Sequence, residues 1–243
     1  MNFENRLKGQ KAVVVGGGTG MGASLARALD EAGVQVVIGG RRLSALQETA
    51  QGTQISSLMV DVADRASVDQ FFSQAAKQLG QVDILVIAAG TNIKNRSMAE
   101  MEPDQWDQLM AINATGAYNC MHAVLPAMRQ RKSGTILNIS SVAGKRAIAL
   151  GGIAYSASKF AMTALGTCVS NEVAPDGVRV INLYPGEVNT PILENRPTPV
   201  TEEHKQRILQ PEHVTELIMS VLNLPESVHV PELVIKPLTQ NWY

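Results

Sequence analysis

Residues 11–22, Lys-Ala-Val-Val-Val-Gly-Gly-Gly-Thr-Gly-Met-Gly, decide how this 243-residue chain folds. The β-branched run predicts a short buried strand, and the spacing of Leu25, Ala28 and Leu29 predicts a helix that ends at Gly33. A glycine turn between strand and helix lets backbone N–H groups approach a phosphate, and the helix N-terminus adds partial positive charge. The candidate residues for binding a dinucleotide here are Gly16, Gly18, Thr19, Gly20 and Met21.

Glycine spacing alone is a weak signal, because loops use glycine for many reasons. The pattern Gly16-x-x-x-Gly20-x-Gly22 also differs from the commoner G-x-G-x-x-G fingerprint. The position of the turn between a strand and a helix favours phosphate binding. No Gly-Lys-Ser/Thr ending follows, which argues against a nucleotide-hydrolysing P-loop.

The end of the second predicted strand bears on the choice of cofactor. Val34–Ile38 reads as a strand and is followed by Gly-Gly-Arg41-Arg42 without an acidic residue. An acid at this place would bind a free ribose 2′-hydroxyl, whereas arginine can clamp a 2′-phosphate bidentately. The sequence therefore predicts NADP(H) rather than NAD(H). The alternative is that both arginines are solvated loop charges.

Strands that alternate with helices every 20 to 30 residues predict an α/β fold, a doubly wound parallel Rossmann-type sheet of about seven strands with helices on both faces. Ligands of such sheets bind at the carboxyl ends of the strands. Asp61 and Val62 follow the third strand, where a carboxylate can receive the adenine amino group. Ala89 and Gly90 follow the fourth, where small residues leave room for a flat ligand.

The segment Tyr155-Ser-Ala-Ser-Lys159 carries the candidate chemistry. Residues four apart share one face of a helix, and a nearby ammonium group favours the phenolate of a tyrosine. That would bring the tyrosine pKa toward the range useful for general acid–base catalysis. The alternative for the pair alone is a surface lysine and a half-buried tyrosine on one helix face.

With the glycine turn, the serine pair Ser140-Ser141 and this Tyr-x-x-x-Lys motif, the chain resembles the short-chain dehydrogenase/reductase family in its compact single-domain form, over residues 1–243. The resemblance implies a tetrad of Asn113, Ser141, Tyr155 and Lys159. Tyr155 would exchange the proton on the substrate oxygen, Ser141 would hold that oxygen, and Lys159 would lower the tyrosine pKa and bind the nicotinamide ribose. Asn113 would position a water in a proton relay. Ser141 is preferred to Ser140 because Val-Ala-Gly follows it.

The resemblance also implies that the segment after the sixth strand reaches the nicotinamide, and that a short lid lies near residues 190–210. Two features depart from the family pattern. Val15 stands where the family has threonine, and Ile87–Gly90 reads Ile-Ala-Ala-Gly where the family has Asn-Asn-Ala-Gly. The residues implied to contact the cofactor in the segment after the sixth strand are Pro185, Gly186, Val188 and Thr190.

Composition narrows the classes of partner. The net charge is −1 and the pI about 6.4, which argue against binding to nucleic acid or to an anionic membrane. Cys120 and Cys168 lie in apolar helical contexts without metal-ligand spacing, so both are expected to be reduced core residues of a cytoplasmic protein without a bound metal. Apolar stretches at 110–124 and 160–173 predict a homodimer or homotetramer.

The predicted function is reversible hydride transfer between NADP(H) and a small-molecule carbonyl or alcohol. One alternative is a non-catalytic NADP-binding sensor or scaffold on the same fold, since fold does not fix function. Another is an epimerase or dehydratase of the related extended group, for which the chain leaves little room after Thr190.

Overall fold

The computed structural model describes residues 5–241. Within them, seven parallel strands form one sheet. The strands are β1 Lys11–Val15, β2 Gln35–Gly40, β3 Ser56–Met59, β4 Ile84–Ile87, β5 Gly134–Ile139, β6 Val178–Pro185 and β7 Glu232–Ile235. Their order across the sheet is β3-β2-β1-β4-β5-β6-β7, which is the doubly wound arrangement predicted from the alternation of strands and helices.

Helices connect the strands and cover both faces of the sheet. A π-helical segment, Met110–Thr115, joins two consecutive helices end to end. Short 3₁₀ turns lie at Val142–Gly144, Ala174–Asp176 and Pro191–Asn195. The helices are α1 Gly20–Glu31, α2 Leu43–Ala50, α3 Arg65–Leu79, α4 Pro103–Leu109, α5 Gly116–Arg131, α6 Ile153–Val173, α7 Glu202–Arg207 and α8 Pro211–Leu222.

The alternation of side chains along β1 shows why the sheet is covered on both faces. Val13 and Val15 pack with residues of α3 and α5, including Phe71. Ala12 and Val14 point the other way and pack with residues of α1 and α8. Successive side chains of a strand point to opposite faces, so an unbroken apolar strand is stable only between two layers of helices.

The strand order reverses between β1 and β4, and the chain comes very close to itself there. A Cβ atom on Gly16 would lie 2.4 Å from the backbone nitrogen of Ala89, and Gly16 has a positive φ of 85°. Glycine is required on both counts. The loops after β1 and β4 then diverge, and a cleft opens at the carboxyl ends of the strands.

The bounds of β1 and β2 and the end of α1 lie within about two residues of those predicted. One burial expectation is wrong: Cys120 is buried, but Cys168 is exposed. The apolar residues of α5 and α6 mostly serve the core, although Tyr118 and Phe160 keep 44% and 41% of their surface exposed. Self-association therefore stays a prediction. None of the helices between residues 5 and 241 is long and apolar enough to cross a membrane.

Candidate active site

A cleft with a volume of about 520 Å³ runs along the carboxyl ends of β1, β2 and β4. It is called the larger cleft below, to distinguish it from a smaller pocket beside it. It lies where the sequence predicts a dinucleotide, and it brings together predicted residues from six separate segments of the chain. The predicted residues that line it are Gly16, Gly18, Thr19, Gly20, Met21, Arg41, Arg42, Asp61, Val62, Ala89, Gly90, Tyr155, Lys159 and Thr190.

The polar groups of this cleft fit an anionic dinucleotide. Thr19 is the N-cap of α1 but makes no side-chain cap hydrogen bond, so the first N–H groups of the helix keep their capacity to bind an anion. Arg41 and Arg42 are exposed at its rim. Within residues 5–241, no carboxylate lies within 4 Å of the guanidinium group of either arginine.

Lys159 is buried at the inner end of the cleft, with 3% of its surface exposed. Its Nζ donates to the carbonyl oxygen of Ile139 at 2.9 Å and lies 5.8 Å from the centre of the Tyr155 ring. Burial disfavours the charged ammonium and lowers its pKa to about 8. The lysine therefore titrates close to the physiological range.

Tyr155 lines both the larger cleft and a smaller pocket beside it. The protein packed around the phenol raises its pKa, while a side-chain hydrogen bond with Ser141 and the charge of Arg96 act in the opposite direction. The sequence predicts that Lys159 brings this pKa down. The net direction in the structure is the opposite, because desolvation outweighs the neighbouring groups and the Lys159 Nζ donates to a backbone carbonyl. The effect of the lysine itself on the phenol stays a prediction.

The two adjacent serines have different environments. Both line the smaller pocket, and the Ser141 Oγ accepts a hydrogen bond from the Ala143 N–H at 3.1 Å. Ser140 is buried, and its hydroxyl lies 3.3 Å from the Lys159 carbonyl oxygen and 3.2 Å from the Thr163 hydroxyl. Of the two, Ser141 is the one in contact with the Tyr155 phenol.

Asn113 is fully buried in the π-helical segment and lines neither pocket. Its amide nitrogen donates to the Thr91 carbonyl oxygen at 3.0 Å and to the Ser158 hydroxyl at 2.9 Å. Its oxygen accepts from the Thr91 N–H at 2.8 Å. A π-helical bulge is a frequent feature of functional sites, and here it holds an amide between the loop after β4 and the helix that carries Tyr155.

The smaller pocket has a volume of about 120 Å³ and opens beside Ser141 and Tyr155. Three predicted cofactor residues, Pro185, Gly186 and Val188, line this pocket and not the larger cleft, whereas Thr190 lines both. The wall of the smaller pocket also contains three charged residues that the sequence did not indicate: Arg96, Glu187 and Arg196. These residues lie in loops without a recognisable spacing, so only the fold reveals that they meet.

No group of three or more potential metal ligands occurs in the part of the chain that the structure describes. The polar groups of the two pockets include one phenol, one ammonium group, hydroxyls, the carboxylates of Asp61, Glu187 and Glu194, and arginines. This is an arrangement suited to proton exchange at an oxygen atom beside a bound anionic ligand.

Comparison with known proteins places this site in a family. The model of the short chain dehydrogenase family matches residues 10–200. The chain therefore belongs to the short-chain dehydrogenase/reductase family of oxidoreductases.

Two curated relatives show how far the likeness extends. The chain is 35% identical over 241 residues to the glycine betaine reductase ATRR of Emericella nidulans, an alignment that covers 95% of this chain but 19% of that much longer protein. It is 32% identical to an uncharacterized oxidoreductase of Staphylococcus saprophyticus, over 96% of this chain and 99% of the relative.

Solved structures show the same fold with a nicotinamide cofactor bound. An alcohol dehydrogenase of the archaeon Thermococcus sibiricus, complexed with 5-hydroxy-NADP, matches with a TM-score of 0.86 and 27% identity, over 96% of this chain and 99% of that one. A 3-ketoacyl-(acyl-carrier-protein) reductase of Brucella melitensis, complexed with NADH, matches with a TM-score of 0.86 and 26% identity, over 96% and 98% of the two chains.

Proposed function

We propose that the protein is an NADP(H)-dependent oxidoreductase that interconverts a ketone or aldehyde with the corresponding alcohol. One observation carries this proposal: the Tyr155 phenol lines both the larger cleft and the smaller pocket. A proton donor at the junction of a dinucleotide site and a substrate site is what carbonyl reduction requires. The family membership and the cofactor-bound relatives support it.

The choice of NADP(H) over NAD(H) rests on the end of β2. Arg41 and Arg42 line the larger cleft there, and no acidic residue occupies the place that would bind a free ribose hydroxyl. The solved relatives hold either form of the cofactor, so the family alone does not decide between them. A guanidinium at the rim favours a 2′-phosphate.

When it is bound, the nicotinamide supplies the hydride for reduction or accepts it during oxidation. In reduction, Tyr155 donates its proton to the carbonyl oxygen, and the Ser141 hydroxyl holds the same oxygen. The raised pKa of Tyr155 keeps the phenol protonated at neutral pH, as a donor requires. Oxidation of an alcohol needs the reverse transfer, for which the phenol must first lose its proton.

Lys159 stabilises the negative charge that develops on the phenol as the proton leaves, and its ammonium group is suited to hold the hydroxyls of the nicotinamide ribose. Asn113 bonds both the loop at Thr91 and Ser158 of α6, and so holds this part of α6, with Tyr155 and Lys159, in place against the loop. A water carried by Asn113 would complete a proton relay to solvent. Residues 190–210 would cover the smaller pocket as a short lid.

A panel of neutral ketones, aldehydes and alcohols, followed through nicotinamide absorbance with NADPH, NADP⁺, NADH and NAD⁺, tests the proposal. We expect turnover with NADPH or NADP⁺, and a lower kcat/KM with NADH or NAD⁺. Tight NADPH binding without turnover of any compound would contradict the proposal and would favour a cofactor sensor.

A further inference from the structure

The smaller pocket carries more positive than negative charge. Two guanidinium groups, those of Arg96 and Arg196, line it together with one carboxylate, that of Glu187. The rest of its wall includes the Ser141 hydroxyl, the Tyr155 phenol and apolar side chains. A neutral substrate would need only the hydroxyl and the phenol, so the arginines call for a separate explanation.

Arg96 is fixed in place by the backbone around it. Its Nε donates to the Ile93 carbonyl oxygen at 2.8 Å, one Nη donates to the Leu150 carbonyl, and the other donates to the Asn195 carbonyl at 2.9 Å. A guanidinium has about five N–H donors in a rigid plane. Because these three bonds use only part of that set, Arg96 keeps donors for another acceptor.

The position of Arg96 is coupled to the helix that carries Tyr155. A Cβ atom on Gly152, the N-cap of α6, would lie 2.7 Å from the Cβ of Arg96. The Ile153 N–H also donates to the Arg96 carbonyl oxygen at 3.3 Å. The arginine therefore packs directly against the start of α6, less than one helical turn before the reactive tyrosine.

The positive charge of Arg96 has no balancing acid in the part of the chain between residues 5 and 241, where no carboxylate lies within 4 Å of it. Burial lowers its pKa, and the charge of Arg196 lowers it further. Arg196 pairs with Glu187 at 3.1 Å, with both side chains 15% exposed, and Glu187 also contacts His204 at 2.6 Å. A partly buried charge without a partner costs stability unless a ligand supplies the counter-charge.

We propose that the substrate carries a carboxylate, which binds to Arg96 while its carbonyl group lies at Tyr155 and Ser141. This proposal rests on the proposed function. In reduction the carbonyl carbon gains a hydride with its electron pair from the reduced nicotinamide, the carbonyl oxygen gains the Tyr155 proton, and the carboxylate is unchanged. Arg196 is paired with Glu187, so Arg96 is the cation of this wall that a carboxylate would meet, and the volume of about 120 Å³ suits a small oxo acid or hydroxy acid.

The first test compares 4-oxobutanoate with its methyl ester at saturating NADPH, because the two share one aldehyde and differ in charge. We expect kcat/KM to be about tenfold or more higher for the acid, mainly through a lower KM, since a charge-assisted hydrogen bond to arginine is lost in the ester. Equal values, or a preference for the ester, would overturn the inference while leaving the proposed function intact. No turnover of either compound or of the neutral panel would overturn both.

The second test removes the charge. In Arg96→Gln the ratio of the acid's kcat/KM to that of the ester should fall to near one, and Arg96→Lys should keep part of the preference. Arg179→Gln is the matched control, because Arg179 also donates to backbone carbonyls but lies away from both pockets. This control should keep the wild-type ratio. An unchanged ratio in Arg96→Gln would overturn the assignment of the carboxylate to Arg96.

A third measurement needs no variant and so remains decisive if Arg96→Gln fails to fold. Butanoate should inhibit reduction of the ester by the wild-type protein competitively, and butanamide at the same concentration should inhibit about tenfold less. Equal inhibition by the acid and the amide would show that the pocket does not select a negative charge, and would overturn the inference.

Discussion

The two ends of the larger cleft are built in opposite ways. At the glycine end, space is made by the absence of side chains: a Cβ on Gly22 would lie 2.2 Å from the Gly16 carbonyl oxygen. At the tyrosine end, polar side chains in and behind the cleft are held by partners distant in sequence: Lys159, in the cleft, by the Ile139 carbonyl, and Asn113, behind it, by Thr91. Substitutions that add atoms should therefore damage the glycine end, and substitutions that remove polar atoms should damage the tyrosine end.

The largest effect is expected at the tyrosine end, from the removal of a single oxygen. Tyr155→Phe deletes the proposed proton donor, so kcat for carbonyl reduction should fall by about a thousandfold. Affinity for NADPH, measured by fluorescence titration, should stay within about twofold. A variant with wild-type turnover would remove the tyrosine from the mechanism.

At the glycine end, one added methyl group should act on cofactor binding rather than on the chemical step. Gly22→Ala overlaps the Gly16 carbonyl, so the turn must move. We expect the NADPH Kd to rise by about a hundredfold and the melting temperature to fall. Gly40→Ala is the matched control in the same cleft, since its Cβ would lie 3.5 Å from Leu46, an ordinary contact. Equal shifts in the two variants would contradict this account of the turn.

The rim of the glycine end should decide between the two cofactors. Arg41→Ala removes a guanidinium that can bind the 2′-phosphate, so the NADPH Kd should rise by about tenfold while the NADH Kd changes little. Isothermal titration of both cofactors measures this. The control is Arg129→Ala, which breaks ion pairs with Glu172 and Asp176 away from the cleft. A wild-type protein that prefers NADH would refute the assignment.

The smallest effect is a pH dependence at the tyrosine end. Burial lowers the Lys159 pKa to about 8, so the ammonium is charged below that pH and neutral above it. Because the charge stabilises the developing phenolate, kcat/KM for reduction should be level below pH about 8 and decline above it. Lys159→Arg keeps its charge and should lack this decline. A wild-type profile that stays level well above pH 8 would exclude Lys159 as its source.

The same contrast explains how much of the molecule could be predicted from sequence. Glycine positions and β-branched runs determine the backbone directly, which is why β1 begins and ends where predicted and the larger cleft contains most of the predicted cofactor residues. The residue types of the tyrosine end were also predicted. Their hydrogen-bond partners were not, because these come from segments about 20 residues or more away along the chain.

Three features had no signal in the sequence. The π-helical segment Met110–Thr115 has a composition that suits an α-helix equally well, and only its packing distinguishes it. Arg96 lies in a loop where arginine is normally solvated. Cys168 lies in a helix that is apolar on most faces, so periodicity does not tell which side is covered.

The central claim is that Tyr155 lies between a bound nicotinamide and the substrate. A crystal structure with NADP⁺ bound tests it most directly. We expect the pyrophosphate at the turn of Gly16–Gly22 and the nicotinamide ring beside the Tyr155 hydroxyl, with the smaller pocket open on the far side of the ring. A ring bound elsewhere, with protein filling the space next to the phenol, would contradict it.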